Sequence, residues 1–155
     1  TVAEEASERS YPFTLRFILF GAEEVGLFGS RDYVSSLDEA EVAEIIAMVN
    51  IDVPGSGTSV EVIGTRNLVD RVLDFGESNG LTVRKGIPLS GASSDHAPFQ
   101  AIGVPVVFFL ADDLSRINSP VDTIEFVRPE LLGTTGSLIL GLLDDMAEAR
   151  DSRVE

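Results

Sequence analysis

VPVVFFL, at residues 104–110, is apolar at every position. A run of this kind is typical of a central strand that is covered on both faces, because a strand with one face in water alternates apolar and polar residues. Two further apolar runs predict strands: FTLRFILF at residues 13–20, which ends at Gly21, and AMVNIDV at residues 47–53. Shorter strands are predicted at residues 60–63 and 81–84.

Helical patterns lie between these apolar runs. Ser30 and Asp38 are residue types that cap the N-termini of helices, and each precedes a helical pattern. Asn79-Gly80 ends another pattern. Helices are predicted at residues 30–37, from Asp38, around residues 68–75, at residues 94–102 and from Pro129 onward. Residues 2–8 resemble the tail of a helix that has no start signal.

The alternation of strands and helices predicts an α/β fold with a layered sheet. A length of 155 residues fits one domain, and no linker, internal repeat or low-complexity segment divides it, so we predict a single domain over residues 1–155. In open α/β sheets the ligand crevice lies beyond the carboxyl ends of the strands. Chemistry is therefore expected after Phe20, at residues 50–52 and after Leu110.

Composition excludes several classes of function. The 11 basic and 26 acidic residues give a net charge of −15, which disfavours nucleic acid and anionic membrane surfaces as partners. The absence of cysteine excludes a disulfide scaffold, a thiolate zinc finger and a cysteine nucleophile. No apolar run approaches the roughly 18 residues of a membrane span, and residues 1–10 are too polar for a signal peptide. We expect a soluble chain and leave its compartment open.

Two adjacent carboxylates, Glu23 and Glu24, follow the first predicted strand in a loop that holds three glycines. Adjacent residues point in different directions, so one carboxylate can bind a metal while its neighbour removes a proton from water. The plainer alternative is a solvated acidic loop. Apolar residues on both sides of the pair weigh against that alternative.

Other segments carry further candidate residues. Asp52 ends the second long strand, where its alternative role is to form a turn or to cap a helix. Ser94-Asp95-His96 contains the residue types of a serine hydrolase triad, but three consecutive residues cannot form the hydrogen bonds of a triad, and Ser94 is expected to cap a helix. His96 is the only histidine, so a zinc site made by this chain alone would be poor in imidazole. Residues 118–123 predict a turn-rich loop.

Four motifs follow one another along the chain: FTLRFILFGAEEVGLFGSRDYV, MVNIDVPGSG, GASSDHAPFQAIGVPVVFF and INSPVDTIEFV. In this order and spacing they resemble the zinc-dependent aminopeptidases of metallopeptidase family twenty-eight, whose relatives include glutaminyl cyclases and the transferrin receptor. The resemblance covers nearly the whole chain. It implies the carboxyl-terminal part of a three-layer α/β catalytic domain, truncated at the N-terminus, with a mostly parallel or mixed sheet and helices on both faces.

The resemblance also implies roles for individual residues. Glu23 matches the general base, and Glu24 and Asp52 match ligands of a site for two zinc ions. Asp95 and His96 match the rim of the substrate pocket. The implied activity is the removal of N-terminal residues from peptide substrates, and a secreted or periplasmic location is compatible with the family.

The chain also departs from the family pattern. The family's upstream His and metal-bridging Asp lie outside this sequence, and Asn118 stands at the position of the last His ligand. An amide oxygen is a much weaker zinc ligand than imidazole. We therefore predict that the parent protein is the aminopeptidase, while this chain alone holds no zinc tightly and has no appreciable activity. The alternative is a degenerate, metal-free module that serves in binding or structure.

The truncation has a consequence for partners. Without the upstream strands, the sheet is expected to carry an unpaired apolar edge or face, and such edges recruit other chains. We therefore expect self-association, or a partner that covers this face.

Overall fold

The computed structural model describes residues 1–88 and 93–152, with a four-stranded mixed sheet at their centre. The strands are β1 (Met48–Ile51), β2 (Val60–Gly64), β3 (Val83–Lys85) and β4 (Val106–Ala111), in the order β1-β4-β2-β3. β4 runs parallel to β1 and antiparallel to β2, while β3 runs parallel to β2. All six residues of β4 are buried, which confirms the prediction of a central strand covered on both faces.

Helices cover both faces of the sheet: α1 (Val2–Ser7), α2 (Phe28–Ser36), α3 (Glu39–Glu44), α4 (Arg66–Ser78), α5 (His96–Ala101) and α6 (Pro129–Asp151), with a 3₁₀ turn at Ile124–Phe126. Val106 and Val107 are consecutive in β4 and so point to opposite faces. Val107 packs in a cluster with side chains of α4 and α6, and Val106 packs in a second cluster with side chains of α2, α3 and α5. The three-layer α/β prediction is confirmed. None of the helices in the described ranges is long and apolar enough to cross a membrane.

The helices begin at side-chain caps in some places and at special backbone geometry in others. Asp38 caps α3 as predicted, in a capping box with the glutamate three positions later. Thr1 caps α1 in the same way, so the prediction that this helix has no start signal was wrong. α2 begins at Phe28 rather than after Ser30, because the left-handed backbone of Leu27 starts the helix and places Ser30 inside it.

Residues 13–20 do not form the strand that the sequence predicts. Tyr11, Phe13 and Leu15 alternate in partial burial with exposed neighbours, as in a strand, and pack against the cluster of α4 and α6. Among the described residues, however, no backbone group of residues 13–20 is hydrogen-bonded to another strand, and β1 pairs only with β4. High β propensity does not make a strand until a partner strand satisfies its N–H and C=O groups.

Asp112, directly after β4, holds the turn that leads into β2. Its carboxylate accepts hydrogen bonds from the backbone N–H of Thr58 at 2.6 Å and of Ser59 at 3.1 Å, and from the Thr58 hydroxyl at 2.8 Å. Arg84 forms an ion pair with the same carboxylate at 3.2 Å. Burial alone would raise the pKa of Asp112, but these hydrogen bonds and the Arg84 charge lower it to about 2.

We expect Asp112→Asn to lower the free energy of unfolding at neutral pH by about 2 kcal/mol, which is what a pKa lowered from 3.8 to about 2 is worth. Because the pKa is lower in the folded state, this stabilisation is complete above about pH 4 and is lost as the pH falls toward 2. Urea unfolding of the two proteins at neutral and acidic pH measures the difference, which should narrow in acid.

The control for this measurement is Asp70→Asn, which removes only an exposed ion pair with Arg66. Exposed pairs of this kind contribute up to about 1 kcal/mol and often nothing measurable. If Asp112→Asn destabilises the protein no more than this control does, the buried network around Asp112 does not stabilise the fold.

Candidate active site

Polar residues from separate parts of the sequence come together around the ends of β1 and β4. Glu23 and Glu24 lie in the loop before α2, Asp52 follows β1, and Asn118 lies in the loop after β4. The side-chain amide of Asn118 donates a hydrogen bond to Oε2 of Glu24 at 2.9 Å. Burial raises the pKa of Glu23, and the negative charges of Asp52, Glu24 and Asp95 raise it further. The structure thus gathers four carboxylates that the sequence singled out into one acidic site.

A backbone hydrogen bond between Gly29 and Gly21, called the neck below, closes the loop that carries the glutamate pair. The N–H of Gly29 donates to the C=O of Gly21 at 3.1 Å, and two further N–H groups of the loop donate to the C=O of Glu23. A Cβ on Gly29 would lie 2.6 Å from the Gly21 oxygen, so glycine permits this close approach where other residues do not. The neck leaves Glu23 partly buried and Glu24 exposed.

Asp52 is oriented by two buried residues. Asn50 donates through Nδ2 to Oγ of Ser94 at 2.8 Å, and Ser94 in turn donates to Oδ2 of Asp52 at 2.8 Å. Both donors are buried, so this chain of hydrogen bonds is shielded from water. The prediction that Ser94 caps the following helix is therefore wrong: its hydroxyl is bonded to Asp52, and Asp95 occupies the N-cap position of α5.

Asp95 and His96 border the site from the start of α5. Asp95 is only 9% exposed, and its Oδ1 has no hydrogen-bond partner in the described part of the chain. The His96 ring stacks on Phe108 with a centroid distance of 4.7 Å, and its Nδ1 lies 3.5 Å from Nδ2 of Asn50. Burial lowers the pKa of His96, and the charges of Asp52 and Asp95 oppose this shift without cancelling it. This environment favours the neutral imidazole.

Backbone strain is concentrated around this site. The non-glycine residues with positive φ in residues 1–88 and 93–152 are Ala22, Leu27, Val53 and Asn118. Ala22 directly precedes the glutamate pair, Val53 directly follows Asp52, and Asn118 contacts Glu24. For Ala22, Leu27 and Val53 such strain costs about 1–3 kcal/mol per residue, whereas asparagine adopts this backbone at lower cost. Strain of this kind persists where the surrounding structure enforces it, which is common at functional sites.

Sequence reasoning assigned no role to two residues that hold the site together, Asn50 and Arg116. Asn50 lies in the stretch at residues 50–52 where chemistry is expected, and the strand period of two places its side chain on the same face as that of Asp52. Arg116 left no such signal. Its guanidinium lies 4.1 Å from the centroid of the Phe126 ring. This cation–π contact stabilises the loop that carries Asn118.

The described residues do not by themselves make a catalytic zinc site. Such a zinc usually has three protein ligands, and no group of three His, Cys, Asp or Glu side chains in the described ranges is placed to hold a metal ion. Glu24 and Asp52 are the ligands that the sequence predicts, and the side-chain amide of Asn118 donates its N–H to Glu24. An amide ligates a metal through its oxygen, which is a much weaker zinc ligand than imidazole.

Comparison with known proteins identifies the family that the motifs indicate. The sequence pattern of Peptidase family M28 matches residues 2–143. Aminopeptidase YwaD of Bacillus subtilis is 31% identical over 137 residues, which cover 81% of this chain and 30% of that protein. A crystal structure of a zinc aminopeptidase from Bacillus subtilis has a TM-score of 0.80 at 26% identity, and an aminopeptidase from Aneurinibacillus sp. strain AM-1 has a TM-score of 0.77 at 30% identity.

The structural likeness extends over 94% of this chain, but over only 39% and 36% of the two solved chains. The chain therefore spans less than half the length of these relatives. Because the family pattern covers residues 2–143 and the fold agrees with it, the chain belongs to Peptidase family M28.

Proposed function

We propose that this chain supplies the general base and two zinc ligands of a zinc-dependent aminopeptidase, an exopeptidase that hydrolyses N-terminal residues from peptides. The observation that carries the proposal is the convergence of Glu23, Glu24 and Asp52 from separate segments at the ends of the strands. The relatives support the class, since one is named an aminopeptidase and another is described as a zinc aminopeptidase.

Glu23 suits the role of the base. It is partly buried, and burial together with the charges of Asp52, Glu24 and Asp95 raises its pKa. A general base is most effective when its pKa lies near the working pH, so this environment favours removal of a proton from an attacking water. The exposed Glu24 and the hydrogen-bonded Asp52 are then the ligands, as the family resemblance implies.

Zinc belongs to the proposal at the level of the whole protein. The family resemblance implies two ions, which would need ligands from outside this sequence in addition to Glu24 and Asp52. Because the described residues offer no group of three metal ligands, we propose that the chain alone retains no zinc and hydrolyses no peptide appreciably.

A second candidate function is that of a metal-free, peptidase-like module that binds or supports another molecule. The hydrogen bond from Asn118 to Glu24 favours this second function. At the position where the family resemblance implies a histidine ligand, the amide donates a hydrogen bond to the Glu24 carboxylate instead. Asparagine is also one of the few non-glycine residues that adopt the left-handed backbone of this position, φ 57°, at low cost. The contact thus stabilises the acidic site without a metal.

We expect the purified chain to hold no zinc after dialysis against a mild chelator, because two carboxylates without a softer partner bind zinc weakly. Metal analysis by mass spectrometry measures the zinc content per chain. One zinc ion per chain after this treatment would show that the site has a ligand set beyond Glu24 and Asp52, and would contradict the prediction.

A longer protein separates the two candidate functions. It would join this chain, with Asn118→His, to an upstream part that carries the family's His and Asp. The aminopeptidase proposal expects it to retain zinc and to cleave leucine p-nitroanilide, but not the N-acetylated substrate, whose amino group is blocked. If neither the His nor the Asn form of this longer protein retains zinc or cleaves the substrate, the metal-free module is the better account.

A further inference from the structure

The side-chain amide of Asn50 contacts two polar residues at once, and both border the candidate active site. Its Nδ2 lies 2.8 Å from Oγ of Ser94 and 3.5 Å from Nδ1 of His96. Asn50 and Ser94 are both buried, so water competes little for the shorter of these contacts. An amide NH₂ group carries two hydrogens, and one asparagine can therefore donate to both neighbours.

The register of the sheet brings these groups together. Asn50 lies opposite Phe108 in the parallel pairing of β1 with β4, so the two side chains lie on the same face of the sheet. The His96 ring stacks on the Phe108 ring at a centroid distance of 4.7 Å and an interplanar angle of 23°. Because Phe108 is buried, this stacking limits rotation of the imidazole and keeps Nδ1 turned toward Asn50.

The direction of each hydrogen bond in this network follows from Asp52. A carboxylate accepts hydrogen bonds and donates none, so the single hydrogen of the Ser94 hydroxyl goes to Oδ2 of Asp52, at 2.8 Å. Ser94 can then only accept from Asn50, which requires the amide nitrogen, and not the amide oxygen, to face Ser94. Because the same nitrogen faces Nδ1 of His96, that ring nitrogen is the acceptor. A neutral imidazole whose Nδ1 accepts carries its hydrogen on Nε2.

The position of this hydrogen decides what His96 can do in the site. A histidine that binds a metal through one ring nitrogen carries its hydrogen on the other. Ligation through Nε2 would therefore place a hydrogen on Nδ1, where it would meet the N–H of Asn50. Burial also lowers the pKa of His96, which disfavours the charged ring that has a hydrogen on both nitrogens.

We propose that Asn50 is a positioning residue that fixes His96 as the Nε2–H tautomer, which makes His96 a hydrogen-bond donor in the site and excludes it as a metal ligand through Nε2. The only histidine of the chain then does not replace the histidine ligand that the family resemblance implies at Asn118. The role of this donor in a peptidase rests on the proposed function, whereas the tautomer is a property of this chain without metal or substrate.

Nuclear magnetic resonance of the ¹⁵N-labelled, untagged chain tests the tautomer, because His96 is the only histidine and its ring nitrogens give the only imidazole signals. A long-range ¹H–¹⁵N correlation spectrum distinguishes a ring nitrogen that carries a hydrogen from one that does not. At about pH 8, above the ordinary histidine pKa of about 6.5, the hydrogen should be on Nε2. An Nδ1–H tautomer in the wild-type chain would overturn the inference.

Asn50→Asp tests whether Asn50 sets the tautomer, because aspartate has nearly the shape of asparagine but cannot donate as a carboxylate. An acceptor would then face the ring, so a hydrogen should appear on Nδ1 of His96. Asn67→Asp is the matched control, since it adds the same charge at an exposed position in the first turn of α4, and it should leave the ring signals unchanged. If folded Asn50→Asp keeps Nδ1 without a hydrogen, Asn50 does not set the tautomer. If it does not fold, the wild-type spectrum still decides.

Zinc chloride added to the wild-type chain tests the exclusion of His96 as a ligand. The hydrogen on Nε2 should remain, whereas binding of zinc through Nε2 would displace it to Nδ1 and would overturn the exclusion. None of these spectra depends on turnover. An inactive longer protein would therefore contradict the proposed function alone, and an Nδ1–H tautomer in this chain would contradict the inference about Asn50 alone.

Discussion

Gly29→Ala should lower the free energy of unfolding by about 3 kcal/mol, at the upper end of the usual cost of overpacking. The new Cβ would lie 2.6 Å from the oxygen and 2.9 Å from the nitrogen of Gly21, and both are backbone atoms. Neither atom can move aside without breaking the hydrogen bond from the Gly29 N–H to the Gly21 C=O. Urea unfolding with linear extrapolation measures the loss.

Gly21→Ala is the matched control, because a Cβ at Gly21 would have no heavy atom within 4 Å and no unusual φ. It should change stability by no more than about 0.5 kcal/mol. If both substitutions have the same effect, the contact between the two glycines does not hold the loop closed. Opening of the neck should also separate Glu24 from Asn118, which the NMR signals of the Asn118 side-chain amide would report.

The sequence predicted the elements whose formation depends on nearby residues. Asp38 caps α3 with a glutamate three positions away, and β4 is recognisable because every one of its side chains is apolar. Residues 13–20 show the opposite case. Their composition is that of a strand, but a strand also depends on hydrogen-bonding partners elsewhere in the molecule, which a local pattern does not reveal.

The same distinction applies to the site. Glu23, Glu24 and Asp52 could be singled out because they follow strand-like runs, where α/β sheets place their ligands. The hydrogen bond from Ser94 to Asp52 spans 42 positions in the sequence, and that from Asn118 to Glu24 spans 94. Ser94 was accordingly predicted to cap a helix, because a local role is all that one sequence suggests for a serine before a helix. The left-handed backbone at Val53 likewise follows from its surroundings and not from its residue type.

In the longer protein that carries the upstream His and Asp and Asn118→His, we expect Glu23→Gln to keep the metal and to lose most of the rate. An amide cannot accept a proton from the attacking water, and general-base catalysis typically contributes about 10²- to 10⁴-fold. Glu24→Gln should instead lower the zinc content, because it removes an anionic ligand. Zinc per chain and turnover of leucine p-nitroanilide are measured on the same preparations.

The two measurements together assign the two roles, since neither alone separates a lost base from a lost metal. Glu39→Gln is a suitable control because Glu39 is exposed at the start of α3, and it should change neither quantity. If Glu23→Gln strips the metal while Glu24→Gln retains it and only slows the reaction, the assignment is reversed. If neither substitution alters zinc content or turnover, the acidic site formed around Glu23 is not where hydrolysis takes place.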